Sequence, residues 1–146
     1  MSDAPPRLRN SYDERQLRFE RTIAAVLLFS GFVWERDLVV PFVALVVTIA
    51  LIPFWSVRPF GVPFERLIAP RLKTPTRRLA ATVVRTDDLG VAFVLLIATL
   101  LLSAGLNTLS RIIGLLCAGA LLLEASAGIW LTTPVWKWLR SGRRPQ

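Results

Sequence analysis

The hydrophobic positions of this chain are gathered into four blocks instead of recurring at the short intervals of a soluble fold. The blocks cover residues 22–34, 38–57, 89–106 and 112–131, with charged or proline-rich stretches between them. A helix needs about 20 apolar residues to cross roughly 30 Å of hydrocarbon, and the last three blocks meet that need. The first is shorter, reaching about 20 Å at the helical rise. It crosses only if it borrows its N-terminal flank, where Leu17 and Phe19 add apolar surface and Arg18 and Arg21 extend to headgroups. The pattern therefore predicts an all-α fold, a single integral membrane bundle of four transmembrane helices over residues 1–146. Its spans are 17–34, 38–57, 89–106 and 112–131, the first helix starts near Tyr12 or Asp13, and residues 58–88 form a cytoplasmic loop.

Composition agrees with segregation. The 146 residues are 53% hydrophobic with a mean hydropathy of +0.52, although 18 Lys and Arg give a net charge of +8. Basic residues beside membrane segments stay on the cytoplasmic side. With four spans, sixteen of the 18 fall on one side, in the N-terminal tail, the 58–88 loop and the C-terminal tail, leaving Arg36 and Arg111 outside. A first block that did not cross would divide them seven against eleven. Both termini are thus expected to be cytoplasmic. The run Glu35-Arg36-Asp37 stands where a signal peptide would carry small cleavage-site residues, so the first helix is expected to be retained. Trp34, Trp55, Trp130, Trp136 and Trp138 fall at block ends, as interfacial depth markers do.

Chemistry is narrowed by what the chain lacks. It has no histidine and one cysteine, Cys117, which excludes a Cys/His zinc site, a Ser-His-Asp triad and a C-x-x-C pair. No glycine loop suits a phosphate. No cofactor or metal and no catalytic residue is expected. The positive charge has no soluble domain to carry it to nucleic acid; anionic lipid headgroups at the basic cytoplasmic face are the expected partners.

Within the loop, Pro63 opens and Pro70 closes a short amphipathic helix with Phe60, Phe64, Leu67 and Ile68 on one side. Its aromatic side is expected in the acyl boundary, with Arg66, Arg71 and Lys73 at phosphates and Arg77 and Arg78 following, as a lipid contact or a docking site for a soluble partner. Residues 76–85 suggest a further surface helix, after which Asp87 caps the third span. In the fourth span Glu124 is the one ionisable residue well inside the membrane, a candidate for a proton or ligand role as well as for packing. Ser103 and Asn107 are its candidate partners, with Thr99 and Thr48 also polar, and no Lys or Arg is expected within reach. Gly114 and Ala118 form a small-x-x-x-small pair that suits close helix approach, within the chain or between copies.

The stretch 58–72, above all Pro59-Phe60-Gly61, Phe64, Arg66-Leu67 and Pro70-Arg71-Leu72, together with Arg77-Arg78-Leu79-Ala80, resembles a family of small bacterial membrane proteins, domain of unknown function four-three-nine-five. The resemblance implies a four-span bundle in the bacterial inner membrane without an established activity. It also implies, for many members, a C-x-x-C pair near the end of the last span and thioredoxin-like or rhodanese-like associates. Here those positions fall at Trp130 and Thr133, and Cys117 has no resolving thiol.

Two functional classes follow. The favoured one is a non-enzymatic interaction or accessory protein of the membrane. The alternative is a small oligomeric transporter or proton-coupled carrier that uses Glu124.

Overall fold

The computed structural model describes residues 11–52, 58–72 and 78–128. A three-residue strand, β1 (Ser11–Asp13), leads into α1 (Glu14–Val33), and a tight turn joins it to α2 (Val39–Ala50). Short turns at Pro59–Gly61, Phe64–Ile68 and Ala69–Arg71 follow, then β2 (Arg78–Ala80), α3 (Ala81–Ser103) and α4 (Asn107–Ala127). Most of the described residues are helical, as the hydrophobic pattern predicts. Two helices, α3 and α4, are long and apolar enough to cross a membrane. α2 is apolar but spans 12 residues, and α1 carries five charges in its first eight positions.

Helix α1 begins where the sequence places it. Asp13 is its N-cap, in extended conformation, and its carboxylate accepts from the Arg15 backbone N–H at 2.9 Å. The third helix differs from expectation. It runs unbroken from Ala81, so residues 76–85 are not a separate surface helix and Asp87 is not a cap. Asp87 is instead the seventh residue of α3, buried and ion-paired, and the extended strand β2 sets the start of the helix. Helix α4 starts five residues earlier than the expected span and closes on Gly128, whose φ of 64° is the left-handed conformation that suits glycine at a helix C-terminus. Residues 129–131 of that span, and 53–57 of the second, lie outside the described residues.

Strands β1 and β2 pair antiparallel with Tyr12 opposite Leu79. An antiparallel pair has a local two-fold axis, and here the helices follow it. Adding 67 to a residue number takes Tyr12 to Leu79, β1 onto β2, and the start of α1 onto the start of α3. The buried face is carried over as well: Leu17, Arg21, Ala25, Leu28 and Gly31 correspond to Val84, Asp88, Ala92, Leu95 and Ala98, all buried. α1 packs chiefly on α4, and α3 on α2, as such an axis requires. The molecule is two related helical hairpins joined face to face.

The core between them is small and apolar, with Ala24, Ala25, Leu28, Val43, Leu95, Ala98, Ala118 and Leu121 at its centre. Close approach depends on small residues. A Cβ on Gly31 would meet Val39 at 2.7 Å, and one on Gly114 would meet Val40 at 3.3 Å. Gly114 and Ala118 thus serve packing within the chain. Outside the bundle the polarity is reversed from that of a soluble protein: Leu38, Leu45, Leu89, Phe93, Leu100 and Leu116 are exposed while Glu20, Arg21, Asp87, Asp88 and Glu124 are buried.

A buried charge cluster and the cleft beside it

Helices begin with a charged turn at their aqueous end, and α1 and α3 each carry that polarity two turns into the bundle. Glu20 and Arg21 in α1 sit at the level of Asp87 and Asp88 in α3, and the four are turned inward. Arg21 donates through Nη2 to Asp87 at 2.5 Å and to Asp88 at 2.6 Å, and its Nε stands 3.4 Å from Glu124 of α4. Arg58, just before the Pro59–Gly61 turn, donates through Nε to Glu20 at 2.5 Å and through Nη1 to Asp88 at 2.7 Å. Gln16 donates to the second oxygen of Glu20 at 3.1 Å, and the Arg58 guanidinium lies 5.2 Å over the Tyr12 ring.

Asp88 is the node of the network, with one oxygen on each arginine. Isolated charges so deep would cost several kcal/mol each; the two arginines offset that cost by placing N–H groups on Asp87, Asp88 and Glu20. Burial works against the Arg58 charge, but the carboxylates of Asp88 and Glu20 outweigh it and raise its pKa above the ordinary arginine value. Gly61 lets the Arg58 segment pass: a Cβ there would collide with the side chains of Gln16 and Glu20. Tyr12, Leu17 and Val84 form a small apolar cluster beneath the ladder.

On the α3 and α4 side, Asp87 and Glu124 close the polar end of an apolar cleft of about 410 Å³, whose walls include Gly90, Val94, Leu116 and Cys117. Cys117 is 8% exposed.

The expected site residues separate. Glu124 is in the cluster, 2% exposed and beside Arg21, so the expectation that no basic residue reaches it is overturned. Arg21 turns inward instead of reaching headgroups because Asp87 and Asp88 are there to receive it. Ser103 and Asn107 are at the other end of the bundle and exposed. Asn107 is 17 residues from Glu124 on the same helix, about 25 Å by helical rise, and the Ser103 hydroxyl donates to its own helix at Leu100. Thr99 and Thr48 likewise donate to carbonyls of their own helices. Of the loop residues, Phe64 turns inward, 5% exposed, with its ring 5.6 Å from that of Phe19. It is therefore not the expected acyl-boundary contact, since Phe19 offers it a nearer apolar partner. Phe60 packs against the core. Leu67, Arg66 and Arg71 are exposed. Arg78 lies in β2, and Lys73 and Arg77 are outside the described residues.

Sequence reading missed Glu20, Arg21, Arg58, Asp87 and Asp88 as site residues. A signal was present: Glu20-Arg21 and Asp87-Asp88 stand immediately before apolar runs and Arg58 immediately after one, positions where acidic groups bring insertion no benefit.

Neither a curated protein nor a solved structure matches the chain. A family model does, over residues 12–141, which encloses the charge cluster and all four helices. The chain belongs to the family described as Domain of unknown function (DUF4395).

Proposed function

We propose that the protein is a four-span protein of the bacterial inner membrane with both termini cytoplasmic, and that it works as a small carrier centred on the buried charge cluster. Support for the membrane comes from the exposed leucines and phenylalanines around a charged interior, from α3 and α4, and from the side-to-side asymmetry of the basic residues. Arg21 and Asp88 are each the eighth residue of their helices, about 10 Å above the helix start. In this arrangement they lie near the cytoplasmic boundary of the membrane.

One observation carries the carrier reading: two carboxylates of the cluster, Asp87 and Glu124, form the polar end of an apolar cleft. Adhesion alone needs no such group, since close packing at small residues such as Gly31, Gly114 and Ala118 also brings helices together in a membrane. Transporter sites recur at the interface of related halves, and an axis along the membrane normal is one known arrangement. A second reading, an accessory protein, is favoured by the exposed Leu67, Arg66 and Arg71 of the cytoplasmic segment, which suit anionic headgroups or a soluble partner.

The test is proton flux into dye-loaded proteoliposomes under an imposed potential. The carrier reading expects flux above that of empty liposomes, lost in Glu124→Gln and kept in Arg111→Met. Flux equal to that of empty liposomes, or unchanged in Glu124→Gln, overturns it. A stoichiometric partner retained in mild detergent by both proteins would then favour the accessory reading.

A further inference from the structure

The end of the bundle opposite the charge cluster consists of two connections, residues 34–38 and 104–106, both within the described residues. Between the first of them and the start of α4 lies a narrow crevice, walled by Gly31, Val40 and Gly114 and reached by Arg36, Asp37 and Ser110. Ser110 is 1% exposed, and its hydroxyl has no hydrogen-bond partner among the described residues. That sets it apart from Thr48, Thr99, Ser103 and Ser126, whose hydroxyls donate to carbonyls of their own helices. A buried hydroxyl left unbonded is destabilising, and packing does not call for one here. Subtracting 67 takes Ser110 to Val43, which holds the equivalent place in α2 and is fully buried in the core.

We propose that the crevice binds a small inorganic anion of the halide class. Its space of about 10 Å³ takes one particle of about the size of a water molecule, which excludes phosphate and sulfate. The Ser110 hydroxyl, at its buried side, donates, and Arg36, exposed at its mouth, supplies the charge. Asp37 does not oppose this, because its carboxylate is bonded to Arg111 Nε at 2.7 Å and the pair carries no net charge. Glu35 is turned out to solvent, its side chain 77% exposed and 4.0 Å from Arg111. Ser110 is the fourth residue of α4, a helix of 21 residues whose N-terminus receives no side-chain cap. The positive end of its dipole favours an anion in the crevice. A water there accepts two hydrogen bonds and needs acceptors for its own protons; a halide needs none. Ser110 is 14 residues from Glu124, about 21 Å along α4, so the site is separate from the charge cluster and stands or falls apart from the carrier reading.

The probe is chloride, with fluoride beside it and gluconate at equal ionic strength as the control, all as sodium salts. Reversible unfolding of the full chain in mixed micelles reads binding as a rise in midpoint, because a ligand held only by the folded state stabilises it. The expected result is a saturable rise with chloride or fluoride and none with gluconate. Ser110→Val copies the shape found at Val43, and Arg36→Gln changes an exposed position. Each should weaken the apparent halide affinity by about tenfold or more, as loss of a charge-assisted hydrogen bond implies. Bromide, located by anomalous scattering in crystals of the protein, should occupy one site within hydrogen-bond reach of the Ser110 hydroxyl. A midpoint that follows ionic strength alone, or a halide response kept in either variant, overturns the proposal. So does an ordered water at Ser110 that bromide does not displace, since the crevice is then a water site only.

Discussion

Arg21 and Asp88 hold the same place in two different helices and are bonded to each other, each the eighth residue of its helix, with Nη2 of Arg21 2.6 Å from Oδ1 of Asp88. A two-fold axis passing between two helices brings equivalent positions together, so a charge there meets its own counterpart. Like charges would repel at that distance; Arg in one helix and Asp in the other convert the clash into an ion pair. The remaining members gather around it, Arg58 and Glu20 on one side and Glu124 and Asp87 on the other.

Arg58 should matter far more to stability than an arginine at the rim. Its side chain is 7% exposed between two carboxylates, and removing one partner from a buried pair costs about 3–5 kcal/mol. Arg111 bonds Asp37 at 2.7 Å in the open turn at the far end of the bundle, where screening leaves little net gain. Unfolding in mixed micelles should therefore be strongly shifted by Arg58→Met and hardly by Arg111→Met. Arg58→Lys should recover little, since one ammonium cannot present the two separated N–H groups that Arg58 uses.

Gly61→Ala should act through the same arginine. Its Cβ would overlap Gln16 and Glu20, and overpacking of this kind costs about 1–3 kcal/mol. Part of the lost stability is expected to return when Gln16→Ala is added, which removes one of the two colliding side chains and leaves Glu20. An equally damaging double variant would show that the collision is not the cause.

Phe64 and Leu67, three residues apart, should respond differently. Phe64 is buried on Phe19 and Leu67 is 67% exposed. Phe64→Ala should cost about 3 kcal/mol of stability. Leu67→Asp should leave the unfolding midpoint near that of the unaltered protein and weaken flotation with anionic vesicles. Reversed sensitivities in these two assays would contradict the packing described.

The topology is open to cysteine labelling in a Cys117→Ser background. Cysteines at Arg36 and Asn107 should react from outside intact cells, and those at Lys73 and Arg143 only after the membrane is opened. External reaction at position 73 would overturn the four-span arrangement.

The apolar runs and the start of α1 were legible because each depends on neighbours in sequence: a run long enough to cross, and an Asp followed by an amphipathic turn. The start of α3 was not. Asp87 and Asp88 before an apolar run have the local signature of a cap, and what buries them are two arginines, 66 and 30 residues away. Strands of three residues, such as Ser11–Asp13 and Arg78–Ala80, are too short for an alternating pattern to announce them. Glu124 stood out because it is alone in its own helix, whereas the partners that define it, Arg21 and Asp87, come from α1 and α3. Ser103 and Asn107 were linked to it by polarity, and helical rise puts them at the opposite end.

The most direct test of the central claim is a double-mutant cycle between Arg21 and Asp88, using Arg21→Met, Asp88→Asn and the pair, with stability read from reversible unfolding in mixed micelles. If the halves meet through this buried ion pair, each single change is strongly destabilising, and the pair costs less than their sum by about 2 kcal/mol, within the range for directly bonded residues. Additivity to within about 0.5 kcal/mol, as for distant independent sites, would contradict it.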